Sequence, residues 1–357
     1  MNSSNAIVCH VHARRLAAGL SATDLAGRAG ISRQALHAIE TQRSIPSTAI
    51  SLRLARALSC QVDDLFVLRG DFDGLVRADG STGSRVVVGH VGGQWVAHGL
   101  DPRSTAPADG AMHQGTFTPF ADTHSLRTNA LIAGCAPPMG SLAGPLADPR
   151  DGRATWLYTP SGAALALLAN DTVHVAGMHL TQLTAPEHHD ALLRAAMPGV
   201  DIEVITLVGW RQGLVVPRHN PRRICSASDL AQPDLRVARR QPGSGAAIVL
   251  ERALASVGAP AAQGPILRSH LEAAHAVSLG AVDVAVAIEP LADAFDLHFV
   301  PLSEERFELA VRAHNLSHPG VARLLDRLTS ARYALDVAGM GAYDLGLIGD
   351  RRRLSAA

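Results

Sequence analysis

Residues 239–250 read RRQPGSGAAIVL: the basic end of a strand, a Pro-Gly turn, then small and apolar residues able to start a helix. A junction of this kind leaves backbone N–H groups unpaired at the helix start, beside the positive end of the helix dipole, and so suits an anion. Two further stretches share the chemistry, AGCAPPMGSLA at 133–143 and YTPSGAALALL at 158–168. Around them short apolar runs alternate with helical stretches. Strands are expected at 129–134, 154–159, 173–178, 201–208, 235–239 and 282–288, and helices at about 138–147, 161–169, 188–197, 244–256 and 269–279. This alternation predicts parallel α/β sheets, whose ligands gather at the carboxyl ends of the strands.

The loops lack what nucleotide chemistry requires. All 32 basic side chains are Arg, so no Lys is present to complete a Walker loop. Ile248 stands where a dinucleotide fingerprint needs its third Gly, and neither Ser161 (TPSGA) nor Ser244 (PGSGA) sits in a G-x-S-x-G elbow. Hydrolysis and phosphoryl transfer are left without a residue set. The expectation is a binding domain with no cofactor, and no enzyme.

The whole chain sets wider bounds. Its 357 residues, 47% hydrophobic and 18% charged, suffice for more than one core. A formal net charge of zero means that any nucleic-acid surface must come from a local concentration of Arg. Cys9, Cys60, Cys135 and Cys225 are too scattered for a structural zinc site and read as reduced thiols. His90, His98, His113 and His124 are irregularly spaced, so no metal is expected. Without a charged leader or a long apolar run, the chain is expected in the cytoplasm, away from membranes.

Between Ala13 and Leu68 the apolar residues recur at helical spacing, at Leu16, Leu20, Leu25, Ala29, Ile31, Leu36, Ile39, Leu52, Leu54, Leu58 and Leu65. Ser21 and Ser32 are suited to cap two successive helices, and Gly30 to end the first with a left-handed residue. From Gly70 to about Asn129 that period disappears. SRVVVGHVGGQWVAHGL reads as a hairpin turning at Gly92-Gly93.

The small residue at the helix crossing, the turn Gly and the run GISRQALHAIETQRSIPSTAISLRLARALSCQVDDLF resemble the Cro/C1-type (XRE family) helix-turn-helix repressors over about the first 70 residues. The resemblance implies a double-stranded DNA operator read by a homodimer, with a recognition helix from Ser32 to Thr41. Arg33 and Gln34 are suited to pair with guanine and adenine edges, and Arg43 to contact phosphate. His37, one turn on, is placed either for base or phosphate or as a solvated side chain. Where many members of the family have a phosphate-touching Gln, this chain has Ala22.

AGCAPPMGSLA, VHVAGMHL, RRQPGSGAAIVLERAL, the segment from SHLEAAHAV to RFELAV, and GAYDLG resemble the molybdate-type, periplasmic-binding-protein-like domains fused to such modules. The chain is thus expected to be multidomain. It would comprise an all-α helix-turn-helix domain (1–69), a β-rich connector (70–128) and an α/β two-lobed type II binding domain (129–357), with lobe II at roughly 209–285 and two strand crossovers as the hinge. The implied function is a ligand-responsive one-component regulator sensing a molybdate-like oxyanion or a metabolite. The alternatives are a molybdenum-cofactor-related enzyme and a regulator whose C-terminal domain only dimerises.

Candidate ligand contacts are Cys135, Met139, Gly140, Ser161, Gly162, Arg240, Gln241, Gly243, Ser244, Gly245 and Glu289. Strand alternation would turn only one of Arg239 and Arg240 inward. Glu289 either meets the ligand or holds a loop. Cys135 is either a small core residue or a redox- or metal-sensitive thiol. Relatives often have Asp where this chain has Ala136, and Thr-Arg where it has Ala246-Ala247, which would weaken a strongly charged oxyanion site.

Overall fold

The computed structural model describes residues 7–68, 72, 74–78, 84–102, 104, 106–113, 115–144, 152–179 and 186–356. Contacts divide them into two units, 7–129 with 152–153, and 130–144 with 154–356.

In the first unit β1 (Ile7–Cys9) leads into α1 (Val11–Ala17), α2 (Ala22–Ala29), α3 (Arg33–Glu40) and α4 (Thr48–Ala57), and β2 (Phe66–Leu68) returns antiparallel to β1. Ser21 caps α2 through a box shared with Asp24, and Gly30 closes it at φ 63°, a left-handed conformation that an L side chain adopts only with strain. Ser32 then caps α3 by accepting the Ala35 amide at 3.1 Å. Val11, Leu25, Ala26, Ala29, Leu36, Ile39, Leu54 and Leu65 form the core.

Two periodic residues fall outside that core: Leu16 is 59% and Leu52 58% exposed. Arg15 takes the inward position of α1, so Leu16, about 100° further round, faces out. On α4 the inward stripe is Ser51, Leu54 and Ala55.

After β3 (Val76–Arg77), β4 (Arg85–Val91) and β5 (Gln94–Gly99) form the expected hairpin, with Val91 opposite Gln94 across Gly92-Gly93. With β6 (Gly110–His113) and β7 (Thr116–Pro119) they make a sheet ordered β3-β5-β4-β6-β7, followed by α5 (Thr123–Arg127). Val8 and Val67 join Val86, Val88, Trp95 and Phe117 in its core, so the helical module and the β unit share packing.

The second unit runs β8 (Asn129–Gly134), α6 (Pro137–Leu142), β9 (Arg153–Tyr158), α7 (Ser161–Ala169), β10 (Val175–Met178), α8 (Pro186–Ala196) and β11 (Ile202–Val216). It continues through β12 (Arg239–Arg240), α9 (Gly245–Ser256), β13 (Ile266–Leu267), α10 (His270–Ser278), β14 (Ala285–Ile288) and α11 (Glu289–Ala294). β15 (His298–Arg312), α12 (Pro319–Leu328), α13 (Ala331–Ala338) and β16 (Arg351–Leu354) complete it. Residues 145–147 of the helix expected at 138–147 lie outside the described residues.

The strand expected at 201–208 continues to Val216, and β15 pairs with it antiparallel along the whole length, from Ile202–Arg312 to Val216–His298. Near one end β15 borders β10, and near the other β11 borders β14. Hydrophobic side chains gather into one cluster around Ile132, Met139, Val175 and Phe307, and into two more around Leu214 and Leu250 and around Val277 and Ala287. The result is two lobes sharing a pair of crossing strands.

The sheet is therefore mixed and not parallel throughout. β10 and β8 are parallel, but β11 and β15 run antiparallel to their neighbours because the chain crosses between lobes and comes back. Among the described residues no helix is long and apolar enough to cross a membrane.

β16 closes the chain onto β11. From it Arg352 grips the buried Glu308 with two nitrogens, at 2.5 and 2.8 Å, while His189 Nδ1 lies 2.7 Å from the same carboxylate. Burial would raise the Glu308 carboxyl, but the hydrogen bonds from Arg352 and His189 outweigh it and hold it at about 2. An unfolded Glu takes up its proton near pH ~4.3, so this contribution is complete above that pH and is lost as pH falls towards 2. Urea midpoints measured from pH about 5 to about 3 should fall more steeply for the native chain than for Glu308→Gln; parallel falls would deny the clasp a role.

Candidate functional site

α3 packs through Leu36 and Ile39 and leaves Ser32, Arg33, Gln34 and His37 exposed; Arg43, just beyond it, is also exposed. Glu40 is the acid on this helix, and it is neutralised. Arg15 Nε approaches it at 2.7 Å and His12 Nδ1 at 3.2 Å. Burial would raise its carboxyl, yet Arg15 and then His12 hold it below the usual range. A concavity of 580 Å³ lined by His12, Arg15, Arg33, His37 and Glu40 lies beside the helix. The expected reading face is thus presented outward, with its one carboxylate masked.

In the two-lobed unit the three junctions converge. Ser244 caps α9 by accepting the Ala247 amide at 3.2 Å, and its hydroxyl donates to the Gln241 carbonyl at 2.7 Å. A Cβ on Gly162 would meet the Gly243 carbonyl at 3.7 Å, so the second and third loops touch. Ser161, buried at the start of α7, accepts the His179 amide at 3.2 Å and lies 3.9 Å from Cys135 Sγ in the first loop. A Cβ on Gly245 would fall 2.5 Å from His179 Cε1, so only Gly fits against this ring.

His179 is the residue on which the loops meet. Its Nδ1 lies 2.7 Å from Glu305 on β15, whose carboxylate also accepts from Trp210 Nε1 at 3.2 Å and Gln212 Nε2 at 3.0 Å. Burial alone would favour a neutral ring, but Glu305 and then Cys135 raise His179 and keep it charged. Glu305 feels the same burial and is nevertheless lowered by His179.

Strand alternation resolves the arginines. Arg239 is exposed and donates to the Gly264 carbonyl, whereas Arg240 is only 4% exposed. Arg240 donates to the carbonyls of Val286 at 2.6 Å and Leu267 at 3.3 Å, and its Nη1 lies 3.2 Å from His270 Nδ1. Burial pulls its guanidinium down to about 10. Burial, then the charges of Arg240 and His179, push His270 well below its ordinary value, so that ring is neutral. Among the described residues no carboxylate forms an ion pair with Arg240.

Three expected contacts lie elsewhere. Met139 is fully buried with its sulfur packed over Gly134 and Gly177, because the first helix needs an apolar anchor on the sheet. Gly140 faces Trp156, whose ring a Cβ would meet at 2.8 Å. Glu289 is paired with Arg211 and lines a 430 Å³ pocket with Glu304, Arg306 and Tyr343, which Trp210 and Glu305 also border. Ala246 and Ala247 are buried, Ala246 in the lobe core and Ala247 lining a 410 Å³ pocket with Arg240 and Pro242.

His179, His270, Trp210, Gln212 and Glu305 were missed by sequence reasoning. The available signal was polar residues at the end of, or inside, an apolar strand, as in VHVAGMHL and PLSEERFELAV.

The chain thus carries a helix-turn-helix module and a two-lobed domain of binding-protein type. Residues 145–329, just over half of the chain, match the PBP superfamily domain, and the chain belongs to that superfamily. Residues 11–65 match a helix-turn-helix. The uncharacterized protein YvgK of Bacillus subtilis (strain 168) is 26% identical over 179 residues, 49% of this chain and 58% of the relative, so the match spans less than two thirds of that protein. An uncharacterized protein in the ferredoxin 2Fe-2S gene 5′ region of Clostridium pasteurianum is 32% identical over 82 residues, 23% of this chain and 73% of the relative. Among solved structures, the sulfate-binding protein SubI from Mycobacterium tuberculosis H37Rv aligns with a TM-score of 0.46 at 18% identity, covering 60% of this chain and 86% of that one.

Replacing Arg33 and Gln34 together by Ala should cost about 1–3 kcal/mol of sequence discrimination for each bidentate base pairing removed. Arg43→Ala should weaken all sequences alike and lower the salt slope by about one. Fluorescence anisotropy on the chain's own upstream DNA and on random duplex separates the two. Unchanged discrimination in the double variant would move readout away from α3.

Proposed function

We propose that the chain is a cytoplasmic one-component transcription regulator that binds an operator as a homodimer and senses a small anion in the cleft beside Arg240. The observation that supports this most directly is the charge on Arg240. Holding a buried guanidinium against neutral acceptors alone is costly, and an anionic ligand would offset that cost. The His179–Glu305 pair cancels internally, so the net positive charge of the cluster rests on Arg240. Ser161 and the capped start of α9 add neutral donors of the kind that fix an anion's orientation.

A molybdate-like oxyanion follows from the resemblance of the loops, and a small carboxylate fits the same charge. Recognition by paired modules supports the homodimer, since two half-sites one turn apart mirror a two-fold protein. Function by binding and not by turnover is part of the same proposal. The anion would act through unequal affinity for two arrangements of the chain, with a coupling of about 1–3 kcal/mol.

Thermal-shift screening with molybdate, tungstate, sulfate, phosphate and small carboxylates tests the reading. An anion at about 100 times its Kd adds about 2.7 kcal/mol, or roughly 4 °C in Tm for a chain of 357 residues unfolding as one. At least one should raise the Tm of the native chain and leave Arg240→Met unmoved. No shift with any anion would refute the sensor reading.

A further inference from the structure

The helical module is mounted on the β unit in two unlike ways. The first is a shared wall. Val8 and Val67 enter the core of the five-stranded sheet, while Cys9 and Phe66, one position along, pack on the helix core. Alternate residues of a strand face opposite sides, so the single β1–β2 ribbon serves both cores. Its three residue pairs fix where the module sits and leave its tilt about the ribbon to other contacts.

The second mounting is polar. Arg14 on α1 reaches Asp122 of the β unit at 2.5 Å, with Asp64 of its own module at 3.5 Å. Beside this pair the two parts are not packed together. A 410 Å³ crevice lies between Ser59, Cys60 and Asp63 on one side and Thr123, His124 and Arg127 on the other. The ion pair therefore spans a side that no apolar contact closes.

Asp122 is a fixed point. Its other oxygen accepts the Ser125 amide at 2.8 Å and caps α5, whose Leu126 is buried in the sheet core. α5 is held from behind as well, since Arg153 Nε donates to the Ser125 carbonyl at 3.2 Å and Arg153 Nη2 to the buried Asp109 at 2.6 Å. Asp109 in turn accepts the Val88 amide at 2.8 Å, so hydrogen bonds run from β4 to the base of α5. On the module side Arg15, next to Arg14, grips Glu40 of α3 through Nε at 2.7 Å and Nη2 at 3.2 Å. The tilt of α1 is in that way passed to the recognition helix.

We infer that Asp122 is a positioning residue for DNA reading: from outside the helix-turn-helix it seats α1 through Arg14, and through Arg15 and Glu40 it sets the angle at which α3 meets the duplex. Base edges are read only by side chains held at the right distance and angle, whereas contacts to phosphate carry no sequence information. Loss of the seat therefore costs discrimination before it costs binding. The inference rests on the operator reading proposed above and is independent of the anion.

Asp122→Asn tests it, because Asn caps a helix about as well as Asp and only the charge is removed. The probes are a duplex that the native full chain enriches from a random pool, and a random duplex, both read by fluorescence anisotropy. Asp122→Asn should lose about three- to tenfold in affinity for the enriched duplex, with its affinity for random duplex and its salt slope unchanged. Arg14→Gln should show the same loss and the double variant no more than either alone, since all three remove one contact. Melting temperatures of the three should stay close to that of the native chain. Native discrimination in Asp122→Asn, or losses that multiply in the double variant, overturns the inference. So does an Arg14→Gln loss equal on both duplexes with a lower salt slope, the mark of a phosphate contact. A lowered melting temperature with equal loss on both duplexes would reduce Asp122 to a contact of the fold and overturn it too. A pool from which the native chain enriches nothing removes the operator reading, and this inference with it.

Discussion

The antiparallel pairing of β11 and β15 is the constraint on which the binding unit depends. Each strand is 15 residues long and contributes to both lobes, so two separate hydrophobic clusters are built on one continuous ladder. Along the inward face of β11, Trp210 belongs to one cluster and Leu214 to the other, with Gln212 between them. The ladder carries irregularities between Thr206 and Val208 and between Gln212 and Gly213, on either side of that point. Gln212 and its partner Glu305 thus sit between the two clusters.

Placing a carboxylate there has consequences in order. Glu305 is tolerable in a buried position only with charged or N–H partners, and His179, Trp210 and Gln212 supply them. His179 is in consequence held charged, which helps keep His270 neutral and leaves Arg240 as the net charge of the cluster. Three residues along β15, Glu308 meets the same problem and finds a different solution in Arg352 and His189. One strand thereby anchors both the cleft and the C-terminal clasp.

Local signals made much of this legible. Caps at Ser21 and Ser32, the turn at Gly92-Gly93 and the inward turn of one of Arg239 and Arg240 all depend on residues within a few positions of one another. The misplacements share the opposite property. Met139 and Gly140 belong to a loop whose chemistry suits a ligand, but the sheet and Trp156 claim them first. Glu289 reads as a lone carboxylate until β11 brings Arg211 beside it. β15 was hidden because the run Ser303-Glu304-Glu305-Arg306 masks its apolar alternation, and those polar residues mark where the strand passes the cleft and a neighbouring pocket.

By itself the sequence determined the helix-turn-helix, the α/β class, the residues at the loop turns and the absence of a Lys-based phosphate loop, since all of these follow from periodicity, capping and composition over short spans. Only the tertiary structure decided which side chains meet. His179 and Glu305 are 126 positions apart, and no local pattern ties one to the other. What joins them is the register of strands that the lobes force together, together with the cost of leaving a buried carboxylate without a partner.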